Sequence, residues 1–352
     1  MADKATLAWT IPWDDEAVTA VAFLGPNRLA AGNMLGAIMV FDLPEKDGAP
    51  AAVRRLDGHT NLVTALAALP DGKTLVSASY DHSLRVWNLE AKPVRSADVV
   101  LDAKPQKKAK AATSAPVKVD VQEAANVVDA HKEWIRTLAV GASGQRLLSG
   151  DDLGVAILWD AATMKEVRRF PHVGWLRGAA LSNDGKFALT CAGGMRFGSY
   201  AAAVKVWDAN EGTVKLDLAA KDFKKLGSMG MNSGAFSADG KLVAMGEAGE
   251  VTPSGKVFLM DADSGKKIRE LGTHVNGVTA VTFSPDGALL ASAGWDTTVR
   301  LWSVPDGKLV QELGKPRGGG NTDWIYSVAF SPDGKRLAAA DMGGLIHVWS
   351  IA

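Results

Sequence analysis

LGTHVNGVTAVTFSPDGALLASAGWDTTVRLW (Leu271–Trp302) reads as three short strands parted by two turns. VTAVTF (278–283) and ALLASA (288–293) flank Ser284-Pro285-Asp286-Gly287, and Gly294 to Thr297 lead into TVRLW (298–302). Pro, Asp and Gly stand where tight turns need a fixed or positive φ. β-Branched and aromatic residues fill the runs between them.

Four side chains in this stretch, His274, Ser292, Asp296 and Trp302, recur elsewhere as His59, Ser77, Asp81 and Trp87. In both sets Ser, Asp and Trp follow the His by 18, 22 and 28 residues. His131, Ser149 and Trp159 repeat the 18 and the 28, with Leu153 in the Asp place. His172 and Thr190 keep the 18, and Trp207 follows the His by 35. Spacings shared by separate segments mark repeated structural units.

On these residues, and on the Ser-Pro-Asp-Gly turn, the chain resembles the WD-repeat β-propellers over nearly its whole length. The resemblance implies an all-β fold: seven four-stranded antiparallel blades in one domain, each held by a buried His-Ser-Asp-Trp tetrad. Third strands end at positions 41, 87, 159, 207, 260, 302 and 349, with Phe41 and Met260 in Trp places. Asp14 and Asn321 stand in the His places of the first and last repeats. KATLAWT (4–10) has no repeat of its own, and the family's pattern assigns it to completing the last blade. Residues 90–126, rich in Ala, Lys and Pro, interrupt blade two and read as a mobile insertion, within which VKVDV (117–121) alternates like a strand.

Composition narrows the function. The 352 residues carry 39 basic and 39 acidic side chains, a poor balance for nonspecific nucleic-acid binding. A single cysteine, Cys191, excludes an intrachain disulfide and a cysteine metal cluster. The sequence lacks an apolar run of spanning length, and MADKATLAWTIPW lacks a signal core, so a cytoplasmic monomer off the membrane is expected. With the tetrads set aside, neither a catalytic triad nor metal-ligand spacing remains, so neither enzyme activity nor a cofactor is expected. The run Gly318 to Gly320 reads as a loop rather than an anion cradle.

The tryptophans carry the functional reading. Trp134 and Trp175 each follow a tetrad His by three residues, and Trp324 follows Asn321 likewise. Arg136, Arg177 and Tyr326 come two residues later, and Tyr80 and Trp295 precede the turn Asp of their repeats. In WD-repeat propellers these places face the top surface around the channel mouth. The enlarged loop bearing Arg196, Phe197 and Tyr200 is expected to rise from the same face, with Asp151, Asp152 and Asp323 adding negative charge. Trp, Tyr and Arg are the residues enriched in binding hot spots. A protein or peptide partner is the first expectation. A sugar or methylated cation held among the rings is the alternative.

Overall fold

The computed structural model describes residues 5–13, 17–46, 48–101, 115–172, 174–193, 195–196, 199–200, 203–219, 230–249, 255–314 and 324–352, of which 195–196, 199–200 and 219 by backbone alone. The expected seven-bladed ring is present. The innermost strands are Val18–Gly25, Val63–Ala68, Ile135–Val140, Trp175–Leu181, Met231–Phe236, Val278–Phe283 and Ile325–Phe330. Each touches the next and the seventh touches the first, which closes the ring around a channel.

Local chemistry sets each blade. At the Ser284–Gly287 turn, Gly287 has φ +72°, a conformation that L side chains rarely adopt. The Leu289 amide donates to Ser284 Oγ at 2.9 Å, which starts the second strand. Second strands carry small side chains at their buried centres, as in Leu289–Gly294, and third strands bring large ones such as Trp302 against the preceding blade. Ala5–Pro12 pairs antiparallel with Leu345–Ile351, so the first strand of the chain is the outer strand of blade seven. Closure leaves few open strand edges.

Blade one departs from the four-strand plan. Val117–Gln122 adds to its outer strand Ala51–Leu56 in parallel, and Arg95–Val99 adds beyond that, making six strands. Asn126–Asp129 then returns to complete blade two. The stretch 90–126 is therefore not an excursion throughout, while 102–114 lie outside the described residues. Val119 and Val121 are 2% and 1% exposed, because the alternation seen in the sequence points them under the added sheet edge. In blade four the loop after Gly193 contains a short pairing of Met195–Arg196 with Ser199–Tyr200. Among the described residues no helix is long and apolar enough to cross a membrane.

Candidate functional site

The tetrads account for most of the histidines. In blade two, His59 Nδ1 meets Asp81 at 2.7 Å and Nε2 meets Ser77 Oγ at 2.7 Å, while Trp87 Nε1 donates to the same hydroxyl at 2.8 Å. Blade six repeats this with His274, Asp296, Ser292 and Trp302. Burial lowers the His59 pKa against the pull of Asp81; Asp81 is itself held far below the carboxylate range because its bonds to His59 and Ser83 outweigh desolvation. In blade four Trp207 donates to Thr190 at 2.8 Å, and His172 lies edge-on to the same indole.

Blade three corrects the sequence reading. Its tetrad has a carboxylate, but Asp151 supplies it, bonding His131 Nδ1 at 2.8 Å, while Leu153 stands exposed in the turn. Asp151 is 2% exposed and so presents no carboxylate to solvent on the top face. It lies two residues after Ser149 rather than four, and its second oxygen accepts from the Leu153 and Val155 amides. Blade seven uses the same place: Asp341 caps the Gly343 and Leu345 amides and meets His347 Nε2 at 2.9 Å. Asn33 and Glu247 occupy it in blades one and five. An acid or amide two residues after the Ser place was the available signal.

Every innermost strand has a register shift near its start, between Val18 and Ala20, Val63 and Ala65, Ile135 and Thr137, Leu176 and Gly178, Met231 and Ser233, Val278 and Ala280, and Ile325 and Ser327. A bulge re-aims the side chain that it carries. The seven bulged residues are Thr19, Thr64, Arg136, Arg177, Asn232, Thr279 and Tyr326, all polar or amphipathic. With Leu62, Tyr80 and Trp295 they line a cavity of about 400 Å³ at the channel mouth. The top-face expectation included Arg136, Arg177 and Tyr326 but missed the three threonines and Asn232, whose side chains resemble ordinary strand residues.

The aromatic residues flank this ring. Tyr80 stacks on Trp134 at 4.6 Å between centroids and 10° between planes. Trp134 remains 43% exposed. Arg136 donates to both carboxylate oxygens of Asp152 and, at 2.6 Å, to the Tyr80 hydroxyl. Burial opposes its charge, yet the Asp152 bonds prevail and raise its pKa. Arg136 and Arg177 both lie over Trp175, at 5.9 and 5.5 Å from its centroid. Arg177 Nη1 donates to Asn232 at 2.9 Å, and Asn232 in turn donates to the Val278 carbonyl at 2.9 Å. Burial, and then the like charge of Arg136, lower the Arg177 pKa. On blades six and seven, Trp295 stacks on Trp324 at 5.2 Å. Tyr326 lies beside Met342, and burial raises its phenol pKa.

Phe197, Asp323, Asn321, Asp14 and Gly318 to Gly320 lie outside the described residues. Arg196 and Tyr200 occupy the short pairing after Gly193, described by backbone alone. Among the described residues no group of three or more His, Cys, Asp or Glu is placed to hold a metal.

Four segments, 51–88, 123–160, 265–303 and 307–350, match the family described as WD domain, G-beta repeat. Each runs from the outer strand of one blade, or the turn before it, through the third strand of the next, so the sequence repeat spans the junction that its tetrad His secures. The chain is similar to apoptotic protease-activating factor 1 of Rattus norvegicus, 26% identical over 309 residues, which cover 84% of this chain and 20% of that protein. It is similar to WD repeat-containing protein 1 of Gallus gallus, 23% identical over 234 residues, 54% of this chain and 37% of that one. A block of 57 residues is 44% identical to ribosome assembly protein 4 of Chaetomium thermophilum, 16% of this chain and 11% of that protein. The matched regions thus span well under half the length of these three relatives.

Proposed function

The chain is a WD-repeat seven-bladed β-propeller, and from that premise we propose that it is a noncatalytic interaction scaffold whose channel mouth binds a segment of a partner protein. Such propellers generally mediate protein interactions. The observation that carries the reading is the ring of seven bulges, which aims polar side chains into one mouth beside exposed aromatic surface. Trp134, Trp175, Trp295 and Trp324 offer apolar area that a partner desolvates, and the ring offers directed hydrogen bonds. Arg196, Phe197 and Tyr200 belong to the same proposed surface.

The test is affinity capture from a cell lysate with the wild type, with Trp134→Ala/Trp175→Ala/Trp324→Ala, and with a control altered on the outer strands. Proteins retained by the wild type and the control, and lost on the triple variant, are the expected result. Retention of the same set by all three removes the reading.

The mouth also has the volume of a small-ligand pocket, which favours a sugar as the second reading. Quenching of tryptophan fluorescence by free sugars at micromolar to low-millimolar concentration, with no protein captured, would point that way. The arginine pair argues against a methylated cation, since a ligand cation there meets like charge.

A further inference from the structure

We propose that the channel mouth recognises a carboxylate on the bound protein segment, with Arg177 as the residue that holds it and Thr279 as a second donor. This rests on the reading of the mouth as a peptide-binding site and names the chemistry that it selects.

The two arginines of the ring look alike in sequence and differ in what they have left to offer. Arg136 is committed: each nitrogen of its guanidinium has a partner, in the two oxygens of Asp152 and the Tyr80 hydroxyl, and Asp152 balances its charge. Arg177 has one hydrogen bond, to the neutral amide of Asn232, and among the described residues it pairs with no carboxylate. Its Nε is buried without a partner, and so is the hydroxyl of Thr279, two blades on around the same mouth. Asn232 links the two places, because it accepts from Arg177 and donates to the main chain of Val278, next to Thr279.

A partly buried cation without a counter-charge, beside a second cation, is costly. That cost falls when an anion enters. The lowered Arg177 pKa has these same causes. Gly178 shows how the approach is achieved: a Cβ there would lie 2.8 Å from Ser233 Cα, so only glycine lets blade four come this close to blade five and set Arg177 against Asn232.

Charge counting selects the ligand. One positive charge of the ring is unbalanced, since Asp152 already neutralises Arg136. A monoanion balances it, and a phosphate dianion leaves excess negative charge. The planar guanidinium suits a carboxylate through paired donors. The group comes from an Asp or Glu side chain or from the C-terminus of a polypeptide.

The experiment uses immobilised eight-residue peptide libraries with one central position held as Glu, Gln, phosphoserine or Lys and the C-terminus amidated, plus a Gln library with a free C-terminus. Fluorescently labelled full-length protein is applied as wild type, Arg177→Gln, Arg136→Gln and Trp134→Ala. The wild type should retain Glu or free-C-terminus peptides at least tenfold over the amidated Gln set. Arg177→Gln should erase that preference while keeping the residual binding that Trp134→Ala loses. If the wild type binds peptides without acid preference, prefers phosphoserine, or keeps its preference in Arg177→Gln, the carboxylate inference is wrong and the scaffold reading stands. If no library is retained by any form, both readings fall.

Discussion

Gln311 grips both main-chain polar groups of Ala5: its Oε1 accepts the Ala5 amide at 2.8 Å, and its Nε2 donates to the Ala5 carbonyl at 2.8 Å. A side chain on the outer strand of blade six thus imitates a strand neighbour for the outer strand of blade seven. The ring is closed twice, by the pairing of Ala5–Pro12 with Leu345–Ile351 and by this amide. Gln311→Ala should cost about 1–2 kcal/mol in denaturant unfolding, since two partly buried bonds are lost. Removing residues 1–12 should go further and expose an unpaired edge, seen as aggregation or a larger Stokes radius. A truncated protein that elutes and melts like the wild type contradicts closure by this strand.

Asp151 and Leu153 exchange the roles that spacing alone assigns them. Asp151→Ala removes the partner of His131 and of two turn amides, and should destabilise the fold by about 3 kcal/mol or more. Leu153→Asp restores the usual repeat spacing but lies exposed, and should change stability by less than about 0.5 kcal/mol. Equal effects of the two variants would sink this assignment.

Trp302 and Trp134 separate structure from surface. Trp302→Phe deletes the donor to the buried Ser292 hydroxyl and should cost about 1–3 kcal/mol. Trp134→Ala loses a half-exposed stacking contact with Tyr80, so about 1 kcal/mol is expected in folding. In partner binding, measured by calorimetry, the proposed role predicts a loss of about 2 kcal/mol or more for Trp134→Ala. Unfolding by Trp134→Ala with an intact Trp302→Phe would reverse the assignment of faces.

Val119 packs into the core of blade one with Phe41 and Leu43, and Val121, on the same face of its strand, is buried as well. Val121→Ala should cost about 1–2 kcal/mol from lost burial and the void left behind. The same change at Val117, which is exposed, should cost almost nothing. A melting temperature indifferent to Val121→Ala would show that the extra strands only rest on the ring.

Acid should loosen the blade-two tetrad in two steps. His59 has its pKa depressed below the ordinary 6.5, so the unfolded state takes up a proton first as pH falls below that value. Asp81 is depressed below its ordinary 3.8, so its contribution is present above that value and is lost as pH falls through the folded pKa. Stability should therefore decline from near neutrality downward, with a second decline below about pH 4. His59→Gln should flatten the first decline relative to the wild type; an identical slope between pH 7 and 5 in both proteins refutes the assignment.

The repeat was legible because its signals lie within single segments. His59, Ser77, Asp81 and Trp87 stand at offsets that one blade junction enforces, and a turn such as Ser284 to Gly287 needs those residues wherever it occurs. Blade number and the closing strand followed from the same offsets and from the family that they resemble. Three features did not follow. The carboxylate of blade three shifted by two residues because the main-chain amides of the turn accept a cap from either place, and only the fold shows which one reaches the histidine. Val117–Gln122 was readable as a strand, but its parallel partner in blade one is a choice made by a free sheet edge nearby. Above all, Thr19, Thr64, Asn232 and Thr279, which complete the ring with Arg136, Arg177 and Tyr326, are scattered along the sequence and join it only when the circle closes. The sequence by itself determined that seven similar blades would form, since local spacing encodes each one. Which arginine is neutralised by a carboxylate and which is not was decided by tertiary structure alone, because charge balance and burial depend on neighbours that the circle brings together.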